Sequence, residues 1–92
     1  MSKTRRQRLT ERLSQGPATV HELAAELGVQ IKTVVEDLEH VRRSLRGRKL
    51  VMEPARCLSC GFTFRKRERF TAPSRCPECR SEHTDEPELR IE

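Results

Sequence analysis

Residues 18–45 read ATVHELAAELGVQIKTVVEDLEHVRRSL, two amphipathic helices around a tight turn. Thr19-Val20-His21-Glu22 is a capping box: the Thr19 hydroxyl can accept from the Glu22 amide, and Glu22 can reach back to the amide of Thr19. Ala18 and Leu23 occupy the staple positions around it. Leu23, Ala24 and Leu27 then share one helical face, and Gly28 stands where a left-handed C-terminal cap is needed, so this helix is about eight residues long. The next helix runs from about Ile31 to Leu45, with Ile31, Val34, Val35, Leu38, Val41 and Leu45 at a sustained 3–4 spacing.

Outward from this pair, Leu9 and Leu13 lie one turn apart in a basic segment from about Thr4 to Gln15, closed by Gly16-Pro17. On the other side, Lys49-Leu50-Val51-Met52 reads as a strand limited by Pro54. Helix, short helix, tight turn, longer helix and strand is the order of a helix-turn-helix with a β-wing. With Val34, Leu38, Val41 and Leu45 buried, the opposite face of the third helix holds Lys32, Thr33, Glu36, His40 and Arg43. Near the N-terminus of a recognition helix, Lys32 could donate to guanine, Thr33 to a base or phosphate, and Glu36 could accept from cytosine N4. His40 and Arg43 lie further along, toward backbone phosphate. Arg42, Arg43, Arg46, Arg48 and Lys49 cluster at the end of this helix, and Arg5, Arg6, Arg8 and Arg12 line the first, the composition of a phosphate-binding surface. Against it, Glu36, Asp37 and Glu39 place three carboxylates in one turn, and Glu39–Arg43 is a possible pair along a solvated face.

All four cysteines lie beyond residue 56, as Cys57-Leu-Ser-Cys60 and Cys76-Pro-Glu-Cys79, a C-x2-C-x15-C-x2-C spacing. Two residues between cysteines allow a tight turn that aims both sulfurs at one ion. Two such knuckles fill tetrahedral zinc and leave no open position for water, so the site is structural rather than catalytic. A tetrathiolate iron site is the alternative ion, and His83 is a surface residue beside a completed tetrahedron. Phe62-Thr63-Phe64 and Glu88-Leu89-Arg90-Ile91 alternate as strands that could close a small three-stranded sheet with the strand before Cys57, with Arg65-Lys66-Arg67-Glu68-Arg69 as its exposed loop.

These halves together resemble a small prokaryotic family, mainly archaeal, of transcriptional regulators in which a winged helix-turn-helix is fused to a zinc ribbon. The matching stretches are residues 18–45 and ARCLSCGFTF…FTAPSRCPECRSE. The resemblance implies that Cys57, Cys60, Cys76 and Cys79 ligate zinc and that the helix with Lys32 and Thr33 is the recognition helix. Two positions depart from the pattern: Gln30 stands where Ser or Thr commonly caps that helix, and Arg80 follows the second knuckle where Gly is common.

The expected architecture is α+β: a three-helix winged helix-turn-helix over residues 1–53 and a small antiparallel β zinc ribbon over 54–92. The chain has 92 residues, 34% hydrophobic and 36% charged, with net charge +5. A core this small is expected to need help from a metal, disulfides or a partner chain, and a large enzyme fold is not expected at this length. Residues 1–56 carry twelve Lys/Arg against seven Asp/Glu, whereas 57–92 carry seven of each, so the basic surplus belongs to the helical half. Glu82–Glu92 is acidic. No apolar run approaches the roughly 20 residues that span a bilayer, and the N-terminus has no apolar core of a secretory signal, which predicts a cytoplasmic protein. The expectation is a DNA-binding transcriptional regulator that contacts duplex DNA through Lys32, Thr33, Glu36, His40, Arg43, Arg46, Arg48 and Lys49, with one structural zinc. The alternatives are a protein-interaction adaptor of the transcription machinery, whose paired winged helix and ribbon would resemble transcription factor E alpha, and an RNA- or ribosome-associated ribbon, against which the scarcity of aromatics argues. With no open metal position and no nucleophile–base pair, no enzyme is expected.

Overall fold

A computed structural model describes residues 3–66 and 69–92. Three helices come first: α1 (Arg5–Gln15), α2 (Val20–Leu27) and α3 (Ile31–Ser44). Each boundary has a local cause. Thr4 caps α1 in a capping box with Gln7, and Thr19 caps α2 in the one it forms with Glu22. Gly28 ends α2 at φ 67°, in the left-handed region, and its N–H donates to the Ala24 carbonyl. Two residues later Gln30 stands as the N-cap of α3 and supplies no side-chain cap.

The two strands, β1 (Leu50–Glu53) and β2 (Glu88–Ile91), pair antiparallel, with Leu50 opposite Ile91 and Met52 opposite Leu89. On the far side of β2, Ala18 and Leu89 exchange backbone hydrogen bonds at 2.9 and 2.8 Å. The chain is thus a small α+β fold of three helices and a two-stranded antiparallel sheet. The expected third strand does not join it. Pro54 ends β1, and the first cysteine knuckle turns the chain back at once, so the backbone of Phe62-Thr63-Phe64 pairs with residues 55–57, through an Arg56–Thr63 bridge and a Phe64 N–H to Ala55 carbonyl bond. That leaves β2 free to run beside β1 on the helices.

Apolar residues gather in two clusters. The larger joins Leu9 and Leu13 of α1, Val20, Leu23 and Ala24 of α2, and Val34, Leu38 and Val41 of α3. Phe70, Leu89 and Ile91 enter it from beyond residue 54. The smaller surrounds the cysteines with Ala55, Phe64 and Phe62, the two rings meeting edge to face at 5.1 Å. Among the described residues, no helix is long and apolar enough to cross a membrane.

Candidate metal centre and basic face

The two knuckles repeat one backbone design. In the first, the Cys57 amide donates to the Phe62 carbonyl and the Gly61 amide to the Cys57 carbonyl. In the second, the Cys76 amide donates to the Ser81 carbonyl and the Arg80 amide to the Cys76 carbonyl. Both turns need positive φ at the fourth residue after the first cysteine: Gly61 has φ 81° and Arg80 φ 62°. Glycine meets this demand without strain, whereas arginine brings a Cβ into the left-handed region. A 2.8 Å contact between the Ser59 and Ser81 hydroxyls ties the knuckles together.

This design brings the four sulfurs to one point. Cys57 Sγ lies 3.5 Å from Cys79 Sγ, Cys60 Sγ lies 3.7 Å from Cys76 Sγ, and all four fall within 4.8 Å of one another. Sulfurs at Zn–S distances of about 2.3 Å in a tetrahedron are about 3.8 Å apart; a disulfide needs about 2.05 Å, and all four cysteines are free. The donor set therefore fits a tetrathiolate ion. Amides prepare the sulfurs for negative charge. Cys60 and Ser59 amides donate to Cys57, which together with its neighbouring thiols brings its pKa down to about 6 despite burial. At Cys60 the Phe62 amide pulls in the same direction, but burial and the adjacent thiols push the pKa up to about 12. At Cys79 the Ser81 amide and the Cys60 thiol lower the pKa, yet desolvation and the Cys57 and Cys76 thiols leave it raised. Thiols so close release a first proton readily and later ones reluctantly, a repulsion that a divalent cation removes. The side chain of His83 takes no part in the cluster.

Family comparison agrees with the geometry. Residues 4–52 match the model described as PF0610-like, N-terminal, and residues 54–92 match the PF0610 rubredoxin-like zinc beta-ribbon domain. The chain belongs to the PF0610-like family. It is similar to the solution NMR structure of protein PF0610 from Pyrococcus furiosus, with 36% identity, a TM-score of 0.79, and coverage of 100% of this chain and 91% of that one. No curated protein matches it. In this PF0610-like chain Cys57, Cys60, Cys76 and Cys79 are positioned for one structural zinc.

The remaining candidates lie on and after α3. Lys32, Glu36, His40, Arg43, Arg46, Arg48 and Lys49 are exposed, and Thr33 is half-buried. Lys32, Arg43, Arg46 and Lys49 have no ion-pair partner among the described residues, while Arg48 donates to the Ser14 hydroxyl. The three carboxylates expected to repel phosphate are mostly occupied elsewhere. Asp37, 2% exposed, accepts from Arg5 and Arg6 of α1. Glu39 pairs with Arg42, three residues on, rather than with Arg43. Glu36 alone stays exposed, within the field of Arg5. The same pairings reduce the basic stripe expected on α1, since Arg12 also pairs with Glu26, leaving Arg8 without an ion pair among the described residues. Sequence spacing gave no sign of Asp37 as the partner of Arg5 and Arg6, because the contact spans more than thirty residues. Of the expected ribbon loop, Arg65, Lys66 and Arg69 are exposed; Arg67 and Glu68 lie outside the described residues.

Proposed function

We propose that this chain binds double-stranded DNA as a transcriptional regulator, with α2, the Gly28 turn and α3 as a helix-turn-helix and α3 as its recognition helix. On this reading the β1–β2 sheet and the Ala18 bridge take the place of a winged sheet, and the zinc ribbon is inserted between its two strands. The observation that carries the proposal is the charge sorting on α3. Asp37 and Glu39 are neutralised within the protein, while Lys32, Arg43, Arg46 and Lys49 are exposed and have no ion pair among the described residues. Lys32 and Thr33 near the helix start are the base-reading candidates; Arg43, Arg46, Arg48 and Lys49 grip phosphate. Zinc, closed by four thiolates, has a structural role and no reaction to perform.

Fluorescence anisotropy of zinc-loaded protein with random duplex DNA over a salt series tests this. Each neutralised phosphate contributes about −0.9 to the slope of log affinity against log salt. A slope worth several phosphates is expected. A second reading, a protein-interaction adaptor of the transcription machinery, is favoured by Leu58, which is 68% exposed within the first knuckle, and by the acidic C-terminal segment. No duplex binding at low salt, with co-purification of a transcription protein, would replace the first reading by the second.

A further inference from the structure

The segment that carries the metal site spends its best apolar residues on the helices. Phe70, Leu89 and Ile91 are buried in the helical cluster, and Pro87 is fully buried beside them in sequence. Phe70 and Leu89 bracket the second knuckle, one shortly before Cys76 and the other shortly after Cys79. The first knuckle begins four residues beyond β1, and β1 pairs with β2. The two arms leading into and out of the cysteine cluster are therefore the two strands that lie on the helices.

The attachments are spread over the helices, with β2 itself packed against α1. Leu89 exchanges two backbone hydrogen bonds with Ala18, the residue just before the Thr19 cap of α2. Phe70 lies under the Arg42 guanidinium of α3, 5.5 Å from ring centre to carbon, where Val35, Glu39 and Arg42 line a cleft of about 330 Å³ with Arg69, Phe70 and Thr71. His21 of α2 adds a 2.6 Å contact to Glu86.

We propose that metal occupancy of the four cysteines governs the docking of β2 and Phe70 on the helical core, and through them the setting of α2 and α3. The cluster is a clamp on the helical unit as well as the staple of the ribbon. Without a cation, nothing bridges the four sulfurs, the knuckles separate, and the arms from Glu53 to Glu88 become one long open loop, whose ends cost more entropy to hold together. The helical cluster then loses three of the twelve buried residues it has among the described ones, a loss that a core this small does not absorb. Because binding and docking are linked, the coupling is reciprocal: docking strengthens metal binding by the same factor by which metal strengthens docking.

The readouts involve no nucleic acid, so this inference stands or falls separately from duplex binding. Amide hydrogen exchange is followed by NMR in zinc-loaded protein and after zinc is stripped by a chelator, with metal content checked. Stripping is expected to reduce protection at the Ala18 and Leu89 amides at least tenfold, together with the knuckle amides. Unchanged protection at Ala18 and Leu89 in zinc-free protein would overturn the proposal. The reverse direction uses zinc affinity, measured by competition with a chromophoric chelator. Leu89→Ala, remote from the sulfurs, is expected to weaken zinc at least tenfold, whereas Leu58→Ala, inside the knuckle but exposed, stays within twofold. If Leu89→Ala fails to fold even with zinc, the milder Ile91→Val is read in the same assay. Parental zinc affinity in the folded docking variant would again refute the clamp.

Discussion

Two residues carry more of this structure than their chemical types suggest. Arg80 occupies the position that Gly61 fills in the first knuckle, and both have positive φ. A left-handed conformation costs a residue with a Cβ roughly 1–2 kcal/mol, against about 0.5–1 kcal/mol of extra unfolded-state entropy for glycine. Nothing would crowd a Cβ at Gly61, so the difference between the knuckles is conformational rather than steric. Arg80→Gly is therefore expected to raise stability by about 0.5–1 kcal/mol in denaturant melts of zinc-loaded protein, with the metal stoichiometry unchanged. Asp37 is the second such residue. Its carboxyl is held below the ordinary carboxylate range, first by the hydrogen bond from Arg5 and then by that from Arg6, against the opposing effect of burial. The arginines are about half exposed, at 45% and 51%, so solvent screens part of the attraction. Asp37→Asn is expected to cost about 1–3 kcal/mol at neutral pH. A lowered folded pKa means that this contribution is complete above the unfolded value of about 3.9. It is lost as pH falls through the lower folded value. Thermal melts of parent and variant from pH 7 to pH 2.5 should therefore converge at the acid end; acid loss of zinc affects both alike and leaves their difference as the measure. The Gly28 turn was readable from sequence because glycine declares a backbone need. Asp37 was not, since a charge in an acidic run looks solvated until the fold brings its partners from another helix.

At the level of elements, the three helices follow from period, caps and stops: Leu9 and Leu13, the Thr19–Glu22 box, Gly28, and the apolar run from Ile31 to Leu45. One additional signal was present but unread, the Thr4–Gln7 capping box. The strands were half legible. Alternation marked Leu50–Met52 and Glu88–Ile91 equally well with Phe62–Phe64, but no local pattern tells which two pair, because pairing depends on where the knuckle reverses the chain. The element most open to improvement is α3. Gln30 has the extended backbone of an N-cap, φ −75° and ψ 153°, but its side chain makes no cap hydrogen bond. Gln30→Ser supplies the missing acceptor for an amide of the first turn, and should stabilise the protein by about 0.5–1 kcal/mol. Denaturant melts with an unchanged m-value check this. A loss of stability would mean that the Gln30 side chain serves α3 in some other way.

Across the whole molecule, charge is divided between the halves. The surplus of five positive charges lies in residues 1–56, while residues 57–92 balance; one zinc with four thiolates adds a net −2 to the second half. This division was legible in the sequence, as was the metal site, because cysteine spacing and charge counts need no tertiary knowledge. The distribution on α3 was not: only folding pairs Asp37 with α1 and Glu39 with Arg42, leaving Arg43 beside them without an ion pair among the described residues. The proposed duplex binding then makes a prediction with an internal control. Arg43→Ala removes an exposed cation from the α3 face and is expected to reduce the salt slope by about 0.9, weakening affinity uniformly across sequences. Arg75→Ala removes a cation from the ribbon, where it already lies 3.8 Å from Glu82, and should leave the slope within error. Both variants lose one positive charge, so they change net charge identically. A fall in slope for Arg43→Ala alone ties binding to the α3 face, equal falls would reduce the interaction to overall charge, and an unchanged slope for Arg43→Ala would remove that residue from the interface.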